Sequence, residues 1–295
     1  MRIALSCAYV LATIVFCGVT PRPVVAQEAP ADEPVQVADG VYYFLSQGYI
    51  SLFVVTPDGV IATDPSGLAG PERPLAYKRA IASVTDQPVR YVVYSHDSAD
   101  HTTGGDVFAD TATFVGHRLG VPKIAARNDS RTPVPTLVVD DHETLTLGGT
   151  SVELYYTGRN HTDNSLVLLV PDRRVLFAVD FIPVHSLLFR DLPDYYVGDL
   201  AESLRWVDEN LDFDILVPGH PPVGGTKDTV REVREYVADL TSAIQRARAN
   251  GLADNSDGMV AAVRGELEPK YGEWQNFSAW LPLNIAGFIR GWEEQ

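Results

Sequence analysis

Four residues in the run Tyr94-Ser95-His96-Asp97-Ser98-Ala99-Asp100-His101-Thr102-Thr103-Gly104-Gly105 carry groups that bind divalent metals: the imidazoles of His96 and His101 and the carboxylates of Asp97 and Asp100. Neighbouring side chains on a straight helix or strand diverge, so Asp100 and His101 cannot serve one ion from a regular element. In a turning loop they either point to two ions or straddle one. Ser98 sits among them, and a serine hydroxyl is a poor ligand for zinc, which takes imidazole nitrogen, thiolate or carboxylate. The chemistry that such a loop supports is metal-assisted hydrolysis. A bound zinc lowers the pKa of its water to about 7 and polarises a carbonyl, which stabilises the oxyanion formed from it.

A loop can hold ligands only if rigid elements present it. The apolar stretch Val89 to Tyr94 reads as a buried strand that delivers the run at its C-terminal end, where a stiff scaffold gives way to an exposed loop. Before it, Val41 to Leu45, Ile50 to Val55 and Val60 to Thr63 read as a β-meander, with Pro57-Asp58-Gly59 as a turn, and Arg73 to Val84 reads as a helix. After it come a helix over Gly104 to Phe108, a strand over Thr111 to Val115, a short helix after His117 and a polar loop over Ala126 to Pro135. A second β-rich half follows: Thr136 to Val139, Thr144 to Leu147, Val152 to Tyr156, and a hairpin of Ser165 to Val170 and Val175 to Val179 around Pro171-Asp172-Arg173-Arg174. An apolar loop, Phe181 to Tyr196, leads to a helix over Leu200 to Asn210 and a strand over Phe213 to Val217. Helices are expected over Lys227 to Ala249, Met259 to Glu266 and Ala279 to Arg290. Two β-rich halves, each followed by helices, predict an α/β fold built as a four-layer αβ/βα sandwich with a helical C-terminal extension, rather than a doubly wound parallel sheet.

The run from His96 to His101 resembles the HxHxDH signature of the metallo-β-lactamase superfamily, with Ser98 in the place of the second histidine. His161 in Gly158-Arg159-Asn160-His161-Thr162 is similar to the histidine of the family's third motif, and His220 in Val217-Pro218-Gly219-His220 to its last ligand. Asp180, closing Phe177-Ala178-Val179-Asp180, resembles the carboxylate that bridges two metals. The resemblance covers the chain from the β-meander through His220. It implies a first site of His96 and His161, short of one histidine, and a second of Asp100, His101 and His220, with Asp180 shared. Three protein ligands and an open position suit a catalytic zinc, so the second site is expected to fill firmly and the first to hold a weaker second ion. Asp100 is the expected proton acceptor for the attacking water. Asp64, at a strand end, is expected to brace the metal loop from behind.

Around that centre, Ser98 is expected either to contact substrate or to fill the space of a lost ligand. Arg159 and Asn160 are candidate contacts for an anionic or carbonyl substrate. The apolar loop from 181 to 196 walls a cleft or packs on the C-terminal helices. His117, His142 and His185 fall on no motif and read as structural or surface residues.

At the N-terminus, Met1-Arg2, the apolar stretch Ile3 to Val19 and Val24-Val25-Ala26 predict a secretory signal peptide over 1–26. Cys17-Gly18 offers a lipoprotein alternative, against which the bulky Phe16 speaks. A flexible leader is expected over 27–34 and one domain over 35–295, with the C-terminal helices, 227–295, included. Both cysteines, Cys7 and Cys17, lie in the signal, so the exported chain would carry neither disulfide nor thiolate ligand. The net charge of −16 becomes more negative once Arg2 and Arg22 are removed, and it repels phosphate backbones. Together these features predict a periplasmic or secreted enzyme acting on a small molecule, with no nucleic-acid partner and no stable membrane association after cleavage. The expected reaction is hydrolysis of an ester, lactone, thioester or amide, β-lactams among them, by a metal-bound hydroxide. The alternative is a non-hydrolytic relative: a mononuclear iron dioxygenase using His96, His161 and Asp180, or a binding or accessory protein with a degenerate site.

Overall fold

The computed structural model describes residues 32–293. The expected signal peptide and most of the leader lie outside the described residues. Seven strands form the first sheet, in chain order: β1 (Pro34–Ala38), β2 (Val41–Ser46), β3 (Tyr49–Thr56), β4 (Gly59–Thr63), β5 (Val89–Val93), β6 (Thr113–His117) and β7 (Leu137–Val139). The second sheet has the order β12-β11-β10-β9-β8, from β8 (His142–Leu147), β9 (Thr150–Tyr156), β10 (Leu166–Val170), β11 (Val175–Ala178) and β12 (Ile215–Pro218). Helix α1 (Glu72–Val84) covers the outer face of the first sheet. Helices α4 (Val197–Asn210), α5 (Lys227–Ala249), α6 (Asp257–Tyr271) and α7 (Phe277–Glu293) cover that of the second. Between β5 and β6 lies the one-turn α2 (Ala99–Thr102), and between β6 and β7 the short α3 (Val121–Arg127).

Strand periodicity explains the four layers. In β10, Leu166, Leu168 and Val170 face the first sheet, while Val167 and Leu169 join the helical side; β11 splits Val175 and Phe177 from Leu176 and Ala178 in the same way. In β3, Ile50, Leu52 and Val54 face the second sheet and Phe53 faces α1. A strand covered on both faces has no use for polar alternation, which is why these segments read as unbroken apolar runs. Helix α5 buries Val230, Val233, Val237, Leu240 and Ile244 along one stripe.

Several boundaries differ from expectation. An unexpected strand, Pro34–Ala38, starts at the last residue of the expected 27–34 leader and pairs antiparallel with β2 at the sheet edge, where partial burial suffices. The helix expected over 104–108 is a 3-10 turn, Gly105–Phe108, entered through Gly104 at φ 91°, a conformation that favours glycine. Helix α6 continues past Glu266 through Pro269 to Tyr271, because Leu267 and Tyr271 are buried against the neighbouring helices. Among the described residues, no helix is long and apolar enough to cross a membrane.

The topology brings several strand ends to one rim. Strands β4, β5, β6 and β7 run parallel, as do β11 and β12. The carboxyl ends of β4, β5, β11 and β12 therefore release Asp64, the run 94–105, Asp180 and His220 at the seam between the sheets, and Ile50 N–H donates across that seam to the Gly219 carbonyl at 2.8 Å. Gly219 is required there, since a Cβ would lie 2.4 Å from Val179 Cγ1.

Candidate metal centre

Four histidines converge on the carboxylate of Asp180. Its Oδ2 lies 3.4 Å from His96 Nε2, 3.4 Å from His101 Nε2 and 3.3 Å from His161 Nε2, and its Oδ1 lies 3.1 Å from His220 Nε2. Asp100 Oδ2 is 3.7 Å from His101 Nε2. Ligand atoms of His96, His101 and Asp180 all lie within 4.8 Å of one another, and so do those of Asp100, His101 and His220. His101 stands between the two groups.

The backbone at Asp180 is unusual. Phe181 N–H closes on the Val179 carbonyl at 2.9 Å across Asp180, whose φ is 70°. That is a γ-turn of the rare, strained kind. Tyr195 pins it by donating its hydroxyl to the Asp180 carbonyl at 2.6 Å, with its ring edge-on to His161. The 181–196 segment thus returns to hold the residue from which it departs.

Behind the histidines lies a second set of contacts. Asp64 accepts from Ser95 N–H (2.8 Å) and the Ser95 hydroxyl (2.6 Å), and its Oδ2 lies 3.1 Å from His101 Nδ1. With its proton committed to Asp64, the Ser95 oxygen accepts from His96 Nδ1 at 2.9 Å. His220 Nδ1 donates to the Gly48 carbonyl at 2.7 Å. Each of these three rings has its Nδ1 occupied, which leaves the Nε2 lone pair directed into the centre.

Electrostatics follow the burial. Burial opposes charge on His101, but the attraction of the Asp180 and Asp64 carboxylates lifts its pKa well above the usual range. Burial and the repulsion of His101 push that of His96 well down, and burial lowers that of His161. Burial works against ionisation of Asp180 too, yet His101 and the other histidines hold it well below the carboxylate range. Buried His96 Nε2, His101 Nε2, His161 Nδ1 and Asp180 Oδ1 have no hydrogen-bond partner. A buried polar atom left unpaired costs about 1–3 kcal/mol, and a divalent cation would satisfy all but the outward-facing His161 nitrogen at once. The donor set therefore fits a divalent metal.

The expected substrate residues divide. Ser98 is half-buried at the start of α2, makes no capping bond, and lines the cleft beside the centre. Arg159 does not line the cleft: its guanidinium is captured by Asp199 of α4 and stacks over Tyr196. Asn160 is fully buried and structural, its Oδ1 accepting from His161 N–H at 2.6 Å and its amide donating to Thr157, Gly158 and Ser203. Asp97 points away to Asn164 and Arg127. His117 stacks on Tyr156, His142 on Tyr155, and His185 pairs with Glu232, all outside the centre.

Two residues were not singled out by sequence. Tyr49 packs its ring on His101 and His220 and places its hydroxyl 3.4 Å from Asp100 Oδ2. It follows the turn Gln47-Gly48, both at positive φ, and the glycine there is the signal that could have placed a hairpin turn before it. Arg73 is buried beneath, donating to the carbonyls of Ser46, Tyr49 and Pro65 and to Ser51 Oγ. Burial pushes its pKa down to about 10, so it stays charged at neutral pH and ties the Tyr49 turn to the stretch after Asp64.

Residues 46–220 match a family model described as the metallo-beta-lactamase superfamily. The chain is similar to the 2,4-dinitroanisole O-demethylase subunit alpha of Nocardioides sp. (strain JS1661), at 30% identity over 261 residues, 86% of this chain and 76% of that protein. Among solved structures it resembles a metallo-beta-lactamase from Pontibacter korlensis (TM-score 0.57, 20% identity, 70% of this chain and 98% of that one). It also resembles the inverting sec-alkylsulfatase Pisa1 from Pseudomonas sp. (TM-score 0.69, 16% identity, 88% of this chain but 50% of that one). At these identities the two structures speak for the fold.

Proposed function

The chain belongs to the metallo-beta-lactamase superfamily, and on that footing we propose that it is an exported, zinc-dependent hydrolase of a small molecule. The observation that carries this reading is the convergence of His96, His101, His161 and His220 on Asp180, with buried ring nitrogens left unpaired. Asp100, His101 and His220 would hold one ion firmly; His96, His161 and Asp180 would hold a second more weakly, for want of a ligand at Ser98. A zinc ion in such a set supplies Lewis acidity and an acidified water at neutral pH.

The chain's own residues do the rest. Asp64 and Ser95 fix the tautomers of His101 and His96. Asp100, its side chain 34% exposed, orients the attacking water and takes its proton, and the Tyr49 hydroxyl holds that carboxylate in place. Esters, lactones, thioesters and amides are the bonds to test. An aryl ether of the kind named for the Nocardioides relative joins them. Export rests on the N-terminal segment, and fractionation of the producing cells tests it.

The deciding experiment measures metal content in protein purified without added metal, together with turnover of an ester, lactone, β-lactam and aryl ether panel. About one zinc per chain with hydrolysis is expected. Iron with oxygen consumption would replace this reading by an oxygenase, and a metal-free, inert protein would end it.

A further inference from the structure

We propose that the site selects uncharged, apolar substrates and rejects anions, through an aromatic wall that the 181–196 segment and α7 contribute to the cleft of the metal centre. This rests on the reading that the His–Asp centre is the reacting end. The cleft measures about 390 Å³, room for a small molecule. Its lining combines the carboxylates of Asp100, Asp180 and Asp194 with the apolar side chains of Ile182, Leu187, Phe189, Pro193 and Trp280. Among the described residues no lysine or arginine lines it. Arg190, exposed, stands 6.0 Å from the centre of the Phe189 ring without lining the cleft. With Asp100 and Asp180 committed to the metal, an anionic group placed away from it would meet the Asp194 carboxylate and apolar side chains with no lysine or arginine beside them, losing its hydration for nothing.

The wall is mounted rigidly. Phe189 is 48% exposed, the sole aromatic among the exposed large hydrophobic residues described, yet it is held edge-on to Trp280 at 5.5 Å and 81°. The backbone on either side is clamped by buried Asn284 of α7, whose amide donates to the carbonyls of Leu188 (2.9 Å) and Arg190 (2.6 Å) while its Oδ1 accepts from Tyr236 (2.7 Å). Exposed aromatic surface fixed this firmly beside a polar centre is a place for a ligand to pack. Trp280 and Asn284 also lie beyond residues 46–220, so this wall stands partly outside the portion shared with the family.

The test uses the zinc-loaded full chain and two ligands with no bond for it to cleave, 4-nitrotoluene and 4-nitrobenzenesulfonate, whose sulfonate is a poor zinc ligand, with binding read by equilibrium dialysis. The neutral compound should bind at least tenfold more tightly. Phe189→Ala should weaken 4-nitrotoluene at least fivefold without lowering the melting temperature, since a half-exposed ring empties no core. Phe189→Arg should shift the preference toward the anion. Equal or tighter binding of 4-nitrobenzenesulfonate, or indifference of both compounds to Phe189→Ala, overturns the proposal. Turnover of phenyl acetate is followed separately: its absence with the binding preference intact strikes the hydrolase reading alone.

Discussion

His96 and His101 sit beneath the sheet rim with 2% and 0% of their surface exposed, whereas the side chains of Asp100 and His220 keep 34% and 42%. The inner pair is anchored through side chains, Ser95 and Asp64; the outer pair is steadied by the Tyr49 hydroxyl and a backbone carbonyl of the β2–β3 turn. Ser98 falls on the outer, cleft-facing half. A ligand lost there strands no buried partner, because water can take its place, while the same loss at position 96 or 101 would leave Ser95 or Asp64 with unsatisfied atoms in the interior. The contrast explains how the motif can lack a histidine without the centre losing its frame.

The sharpest way to break this picture is Asp180→Ala, which takes away the group that inner and outer halves share. Breaking buried charge pairs of this kind costs about 3–5 kcal/mol, so metal affinity measured by dialysis should fall at least a hundredfold. Retention of full metal content would show that the halves bind independently. Chelation with dipicolinate comes next: an ion present at about a thousand times its Kd stabilises the fold by about 4 kcal/mol, so the melting temperature should drop and return on adding zinc. Asp64→Asn attacks the inner half alone and should weaken metal binding about 10–100-fold while the outer pair stays in place. Ser98→His sharpens the comparison from the other side by raising metal content from one toward two per chain; unchanged occupancy means that Ser98 does not stand in a ligand's place. The smallest effect belongs to Tyr195→Phe, which orphans the Asp180 carbonyl and should cost about 1–2 kcal/mol in urea unfolding, with the metal still bound.

The parts that were legible in the sequence are those where one local rule decides. The β-meander around Pro57-Asp58-Gly59 and the stripe of α5 follow from periodicity and turn chemistry, and Lys227 to Ala249 is found as expected. His96, Asp100 and His101 were visible because metal-binding groups crowd one short loop. What was hidden depends on distant partners. Arg159 and Asn160 looked like substrate contacts by adjacency to His161, but Asp199 and Ser203, some forty residues downstream, capture both. The 181–196 segment was ambiguous for a related reason: Leu187, Leu188 and Tyr195 pack on the C-terminal helices while Phe189 remains at the cleft. Neither alternative excluded the other, since one irregular segment buries some of its side chains and presents the rest.

The division of the ligands between two sheets sets when the centre comes into being. His96, Asp100 and His101 leave the first sheet, His161, Asp180 and His220 the second, and only closure over Val93, Val115, Leu168 and Phe177 brings them together. Pairings so remote in sequence form late in folding. If the proposed export precedes folding, the compartment in which the sheets close, rather than the cytoplasm, sets which metal the centre takes up.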